Sequence, residues 1–126
     1  MPIDINPVVP QGHQLVQSYG DGRFKISAVV FDGSVLVFPE QTIPWSAKSP
    51  EDITIESLSV VTDQADDFDI LLIGSGPTFG RIPADLRRAL KDVGLMLEWM
   101  DTGAACRTFN VLIGEERRVA AALIAV

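Results

Sequence analysis

Two apolar runs without a polar interruption, Ile70-Leu71-Leu72-Ile73 and Val119 to Ile124, constrain this chain more than any other feature. A strand with one wet face alternates apolar and polar residues. A strand apolar at every position must be covered on both faces, as happens inside a parallel or mixed sheet with layers on either side. The neighbouring segments supply such covers. Pro83 at a first helical position and Asp85 in the first turn open a helix whose face is Leu86, Ala89, Leu90 and Val93, and Gly94 stops it. Leu95 to Met100 is short and apolar, hence a strand. Asp101-Thr102 then offers capping oxygens to a further helix with Ala105, Phe109, Leu112 and Ile113 on one face, ended by Gly114.

Upstream, Phe24, Ile26, Ala28 and Val30 alternate with Lys25, Ser27 and Val29. The turn dipeptide Asp32-Gly33 and a second β-branched run, Ser34 to Phe38, follow. This pattern predicts a β-hairpin. Thr42 to Trp45 adds a short strand that Pro44 confines to an edge, with Trp45 buried. After Ser49-Pro50, the spacing of Ile55, Leu58, Val61 and Ala65 predicts a helix capped by Thr54. Residues 1–22 carry three prolines and scattered apolar positions, and read as an extended N-terminal arm. The expectation is an α/β fold: a compact three-layer single domain over residues 23–126, with an N-terminal β-hairpin followed by alternating α and β elements around a mixed central sheet.

Charge narrows the function. Ten Lys+Arg against 17 Asp+Glu give a net charge of −7 and a pI near 4.5. A polyanion would be repelled at long range, so nucleic acid is not an expected partner, nor is an anionic bilayer. The uncharged tract Val119 to Val126 falls far short of the ~20 residues of a membrane helix. One cysteine and one histidine leave no internal disulfide and no zinc-ligand set, and neither metal nor cofactor is expected. The N-terminus has neither a secretory nor a transit pattern, so a cytoplasmic location is expected, peripheral to membrane complexes where partners demand it.

Three constellations deserve weighing as chemistry. Gly74-Ser75-Gly76 follows a buried strand, where small residues let backbone N–H groups approach an anion. The spacing to Gly80 is nevertheless not that of a dinucleotide loop, and Pro77 removes a donor. A structural tight turn and a small anionic-ligand or nucleotide site both remain open for it. Asp101-Thr102-Gly103-Ala104 spells an aspartic-protease half-site, but Leu112-Ile113-Gly114 lies too close to brace one, and capping explains the pair better. Cys106 beside Arg107 near a helix start is a candidate thiol, yet the only imidazole, His13, stands in the arm.

Taken together, Leu72 to Gly76, Leu86-Arg87, Gly94, Glu98, Met100-Asp101-Thr102, Ala105 to Leu112, Glu115, Arg117 and Ala121 to Ile124, with Phe31-Asp32-Gly33 and Trp45 upstream, resemble a known family. It is the family of small uncharacterised prokaryotic proteins related to mitochondrial NADH:ubiquinone oxidoreductase (complex I) assembly factor 3 and to the adipogenesis-associated domain proteins. The resemblance implies a three-layer α/β domain without enzyme activity. It implies a protein-interaction role, with respiratory-complex subunits as partners. Carried onto this chain, the matching rim is Gly74, Ser75, Gly76, Asp101, Thr102, Cys106, Arg107, Thr108 and Asn110. Thr108 and Asn110 can equally satisfy backbone groups, and Arg107 can pair with Glu98 or Asp101.

Overall fold

The computed structural model describes residues 3–4, 12–78 and 81–126. An antiparallel sheet comes first, with β1 (Ile3–Asp4), β2 (Val16–Gly20), β3 (Arg23–Ile26) and β4 (Val29–Asp32) side by side in chain order. The chain then enters a five-stranded mixed sheet built from β5 (Val35–Val37), β6 (Thr42–Pro44), β7 (Ile70–Gly74), β8 (Met96–Met100) and β9 (Val119–Leu123), in the spatial order β6-β5-β9-β7-β8. β7 is parallel to both β8 and β9, whereas β5 meets β9 and β6 antiparallel. The helices are α1 (Ser59–Thr62), α2 (Ala84–Asp92) and α3 (Thr102–Gly114).

The unbroken apolar runs divide cleanly between the two faces of the central sheet. Leu71 and Ile73 of β7 join Ala120 and Ala122 of β9, Leu36 of β5 and Leu97 and Trp99 of β8 in a core roofed by Leu86 and Leu90 of α2 and by Leu58 and Val61. Ile70 and Leu72 join Val119, Ala121 and Leu123 in a second core. Ala105, Cys106, Phe109 and Ile113 of α3 cover it, together with Val16, Phe24 and Ile26 of the first sheet. The result is three layers around a mixed sheet, as the sequence leads one to expect. β9 is central and carries three consecutive alanines, of which Ala121 lies under α3 while Ala120 and Ala122 face the core roofed by α2.

Four local expectations need correction. The hairpin is β3 with β4, turning at Ser27-Ala28, where both residues hold positive φ (46° and 72°). Positive φ at two successive positions is the turn geometry that matches strand twist, and it moves the reversal upstream of Asp32-Gly33. Gly33 (φ 86°) instead passes the chain from one sheet to the other, so Ser34 to Phe38 pairs elsewhere. The helix expected over Ile55 to Ala65 is broken into 3-10 turns at Glu56–Leu58 and Ala65–Asp67 around the four-residue α1. Thr54 does accept the Ser57 N–H (3.1 Å), but the β-branched Val60, Val61 and Thr62 have weak helix propensity, and the α-helical turn they form extends no further than Ser59–Thr62. Residues 1–2 and 5–11 of the expected arm lie outside the described residues, while Val16–Gly20 within it is strand β2, bonded to β3. Val93, expected on the α2 face, follows its last helical residue and is exposed.

Because Leu72 is fully buried at the centre of β7, replacing it with alanine leaves a void with no room to collapse. Leu72→Ala is expected to lower the unfolding free energy by about 3 kcal/mol in urea titration. Val30→Thr, at a position 60% exposed, is expected to stay within about 0.5 kcal/mol of the parent.

Candidate functional site

Parallel strands release their following segments at one edge of a sheet, and here that edge gathers most of the rim. Gly74 is in register with Met100 on one side and Leu123 on the other. Beyond the strands, Ser75 N–H donates to Met100 O (2.8 Å), Thr102 N–H to Gly76 O (2.8 Å), and Ile124 N–H to Gly74 O (2.9 Å). The Thr102 hydroxyl closes the knot, accepting the Gly76 N–H (3.0 Å) and donating to Ile124 O (2.7 Å). Ser75 Oγ donates to Thr78 O (2.9 Å).

The glycines follow from this crowding. A Cβ on Gly74 would sit 2.9 Å from Thr102 Cα and 3.1 Å from Thr102 Oγ1, and Gly76 holds φ at 108°. Ser75 and Thr102 are buried. An anion cradle needs N–H groups aimed at open space, and those of Ser75 and Gly76 already bond within the protein.

The first turns of α3 separate the remaining rim residues. Asp101 caps the helix, its Oδ1 accepting the Ala104 N–H (2.9 Å). Cys106 is buried in the second core, and burial pushes its thiol far above the ordinary range, against the smaller opposing pull of Arg107. Arg107 is exposed and donates to the Tyr19 hydroxyl (2.9 Å), rather than meeting Glu98 or Asp101. Thr108 Oγ1 lies 3.5 Å from Met100 Sδ. Asn110 is buried with its amide spread across the backbone of Val16, Oδ1 accepting the Val16 N–H (3.0 Å) and Nδ2 donating to Val16 O (2.9 Å). It ties β2 of the first sheet to α3.

Tyr19 and Val16 escape sequence reading although they complete this face. A register shift between Val16 and Ser18 puts the two inward residues of β2 three apart, which erases the period of two that betrays a strand. Gly103 belongs with them, since a Cβ there would come within 2.6 Å of the Tyr19 hydroxyl oxygen.

Two outcomes test this geometry. Thr102→Val removes a hydroxyl serving two buried main-chain groups and is expected to cost about 2 kcal/mol. Amide exchange at Gly76 should also accelerate, while Thr102→Ser retains most of the stability. Cys106 is expected to resist iodoacetamide at pH 8 in the native protein and to react fully in denaturant. Fast native alkylation would contradict the burial.

The relatives agree with the fold. An uncharacterised protein of Rhodobacter capsulatus is 35% identical over 86% of this chain and 82% of its own length. The zebrafish (Danio rerio) NADH dehydrogenase [ubiquinone] 1 alpha subcomplex assembly factor 3 is 36% identical over 87% of this chain, which spans only 63% of that factor's length. The crystal structure of an outer membrane protein from Bartonella henselae superposes with a TM-score of 0.85 at 37% identity, covering 94% of this chain and 99% of that one. No helix among the described residues is long and apolar enough to cross a membrane. The family model described as protein of unknown function (DUF498/DUF598) matches residues 16–124, and the chain belongs to that family.

Proposed function

We propose that this chain is a non-catalytic protein-interaction domain that helps assemble a respiratory complex of the NADH:ubiquinone oxidoreductase type, working from the cytoplasmic side as a peripheral factor. The carrying observation is the 36% identity over 87% of the chain with a protein that is itself named as an assembly factor for that enzyme. The shape of the rim agrees with such a role. Its glycine-loop donors are bonded internally and its thiol is buried, so a small anionic ligand or a nucleophilic reaction finds little to use there. What the rim offers outward is Arg107, with Asp101 and Thr108 partly accessible. In this view Gly74, Ser75, Gly76, Thr102, Cys106 and Asn110 serve partners indirectly, by holding the carboxyl ends of the strands and the start of α3 in one rigid face.

The test is a deletion in the native host combined with capture of the tagged chain from gently solubilised membranes. The expected result is loss of assembled NADH-oxidising complex on native gels, restored by the wild-type gene, and specific recovery of that enzyme's subunits with the tag. An unchanged complex in the deletion strain, with the tagged chain returning alone, would overturn the assembly role.

A further inference from the structure

We propose that β8 is a docking edge for an extended, acidic segment of a partner protein, received as a sixth strand of the five-stranded central sheet alongside α2. The inference rests on the interaction role proposed above and adds the face used and the chemistry of the segment.

The central sheet has two edges, β6 and β8, and they are built differently. β6 has three residues and ends in Pro44, and short, proline-bearing edges refuse further strands. β8 runs for five residues as Met-Leu-Glu-Trp-Met, without proline, glycine or lysine. The bonds on its inner side fix which residues look outward. Met96 N–H donates to Asp69 O (3.0 Å), and Met100 O accepts from Ser75 N–H (2.8 Å). Met96, Glu98 and Met100 therefore turn their peptide groups to β7, and alternation turns those of Leu97 and Trp99 away from the sheet. Among the described residues no strand meets that side of β8.

Beside this edge runs a groove of about 470 Å³, lined by Arg87, Lys91, Gly94, Leu95, Met96 and Leu97. Its floor is apolar, and Met96 is 59% exposed. Its wall is cationic: Arg87 and Lys91 stand one turn apart on α2, both exposed, and neither joins an ion pair among the described residues. Two unneutralised cations beside an open edge, on a chain of net charge −7, select the occupant. A strand carrying carboxylates toward α2 and apolar side chains toward Met96 satisfies the main chain, the cations and the apolar floor together. A second copy of this chain does not. Two-fold pairing of β8 with itself sets Arg87 and Lys91 of both copies on the same sheet face, where like charges oppose.

The test uses the full chain, isotope-labelled, with two eight-residue probe peptides at millimolar concentration, one alternating Glu with Val and one alternating Lys with Val. The Glu–Val peptide is expected to slow hydrogen exchange at the Leu97 amide about tenfold and to shift the β8 resonances. The R87E/K91E variant changes only exposed positions. It is expected to bind the Glu–Val peptide about tenfold more weakly, equivalent to the loss of two surface ion pairs and the repulsion that replaces them, and to accept the Lys–Val peptide instead. Unaltered exchange at Leu97 with the Glu–Val peptide overturns the proposal. So does concentration-dependent dimerisation that protects the same amide without peptide, which assigns the edge to a second copy. Membrane capture with R87E/K91E separates the two levels. Subunits retained by the variant overturn the docking edge and leave the assembly role standing, whereas subunits missing with the wild-type chain overturn the assembly role and leave the peptide result to decide the edge.

Discussion

Two-sided burial of β7 and β9 is the constraint from which the rest of the molecule follows. Every side chain of both strands is inside, so each strand loses water on two faces and both faces must be roofed. Each large apolar residue buried contributes about 1.5–3 kcal/mol, and the benefit exists only while both roofs are present. On one side the roof is α2 with the irregular turns before β7. On the other it is α3 with the small antiparallel sheet. The small side chain of Ala121 lies under this second roof, and the two hydrogen bonds of Asn110 to the backbone of Val16 fasten its two halves together.

Where the parallel strands end, the same economy of space produces what looks like a ligand loop. Gly-Ser-Gly after a buried strand is the pattern by which folds cradle phosphates, yet here glycine is required because Thr102 occupies the volume a side chain would need. Threonine's hydroxyl both donates and accepts, and one such group suffices to bind the loop after β7 to the chain leaving β9. A motif defined by small residues therefore reports close approach, and the approaching body in this protein is the chain itself.

Legibility followed periodicity. The unbroken runs at Ile70 and Val119, the proline and glycine that bracket α2, and the Asp101 cap of α3 are local signals, and the structure agrees with them. What failed was whatever depends on distant partners. Ser34 to Phe38 reads as the second arm of a hairpin until β9 claims β5. Val16 and Tyr19 look like parts of an arm because a bulge conceals their common face. The segment from Ile55 to Ala65 has helical spacing without helical propensity, and packing of Leu58 and Val61 under the sheet sets its shape. Of the rim, proximity of Gly74 to Gly76 with Thr102 was readable from strand order. The bond from Arg107 to Tyr19 was not, since it crosses from one sheet layer to a helix through residues with no shared pattern.

The place of β9 in the chain has a consequence for how the protein is made. It is the last strand in chain order and lies between β5 and β7. As a nascent chain leaves the ribosome, β5 with β6 and β7 with β8 are complete before the strand that joins them has been made. Until β9 arrives the growing chain exposes two strand edges and half-roofed apolar faces, the surfaces that holding chaperones bind. Arrival of β9 converts these fragments into one sheet, so the cohesion of the central sheet waits for the strand at its middle.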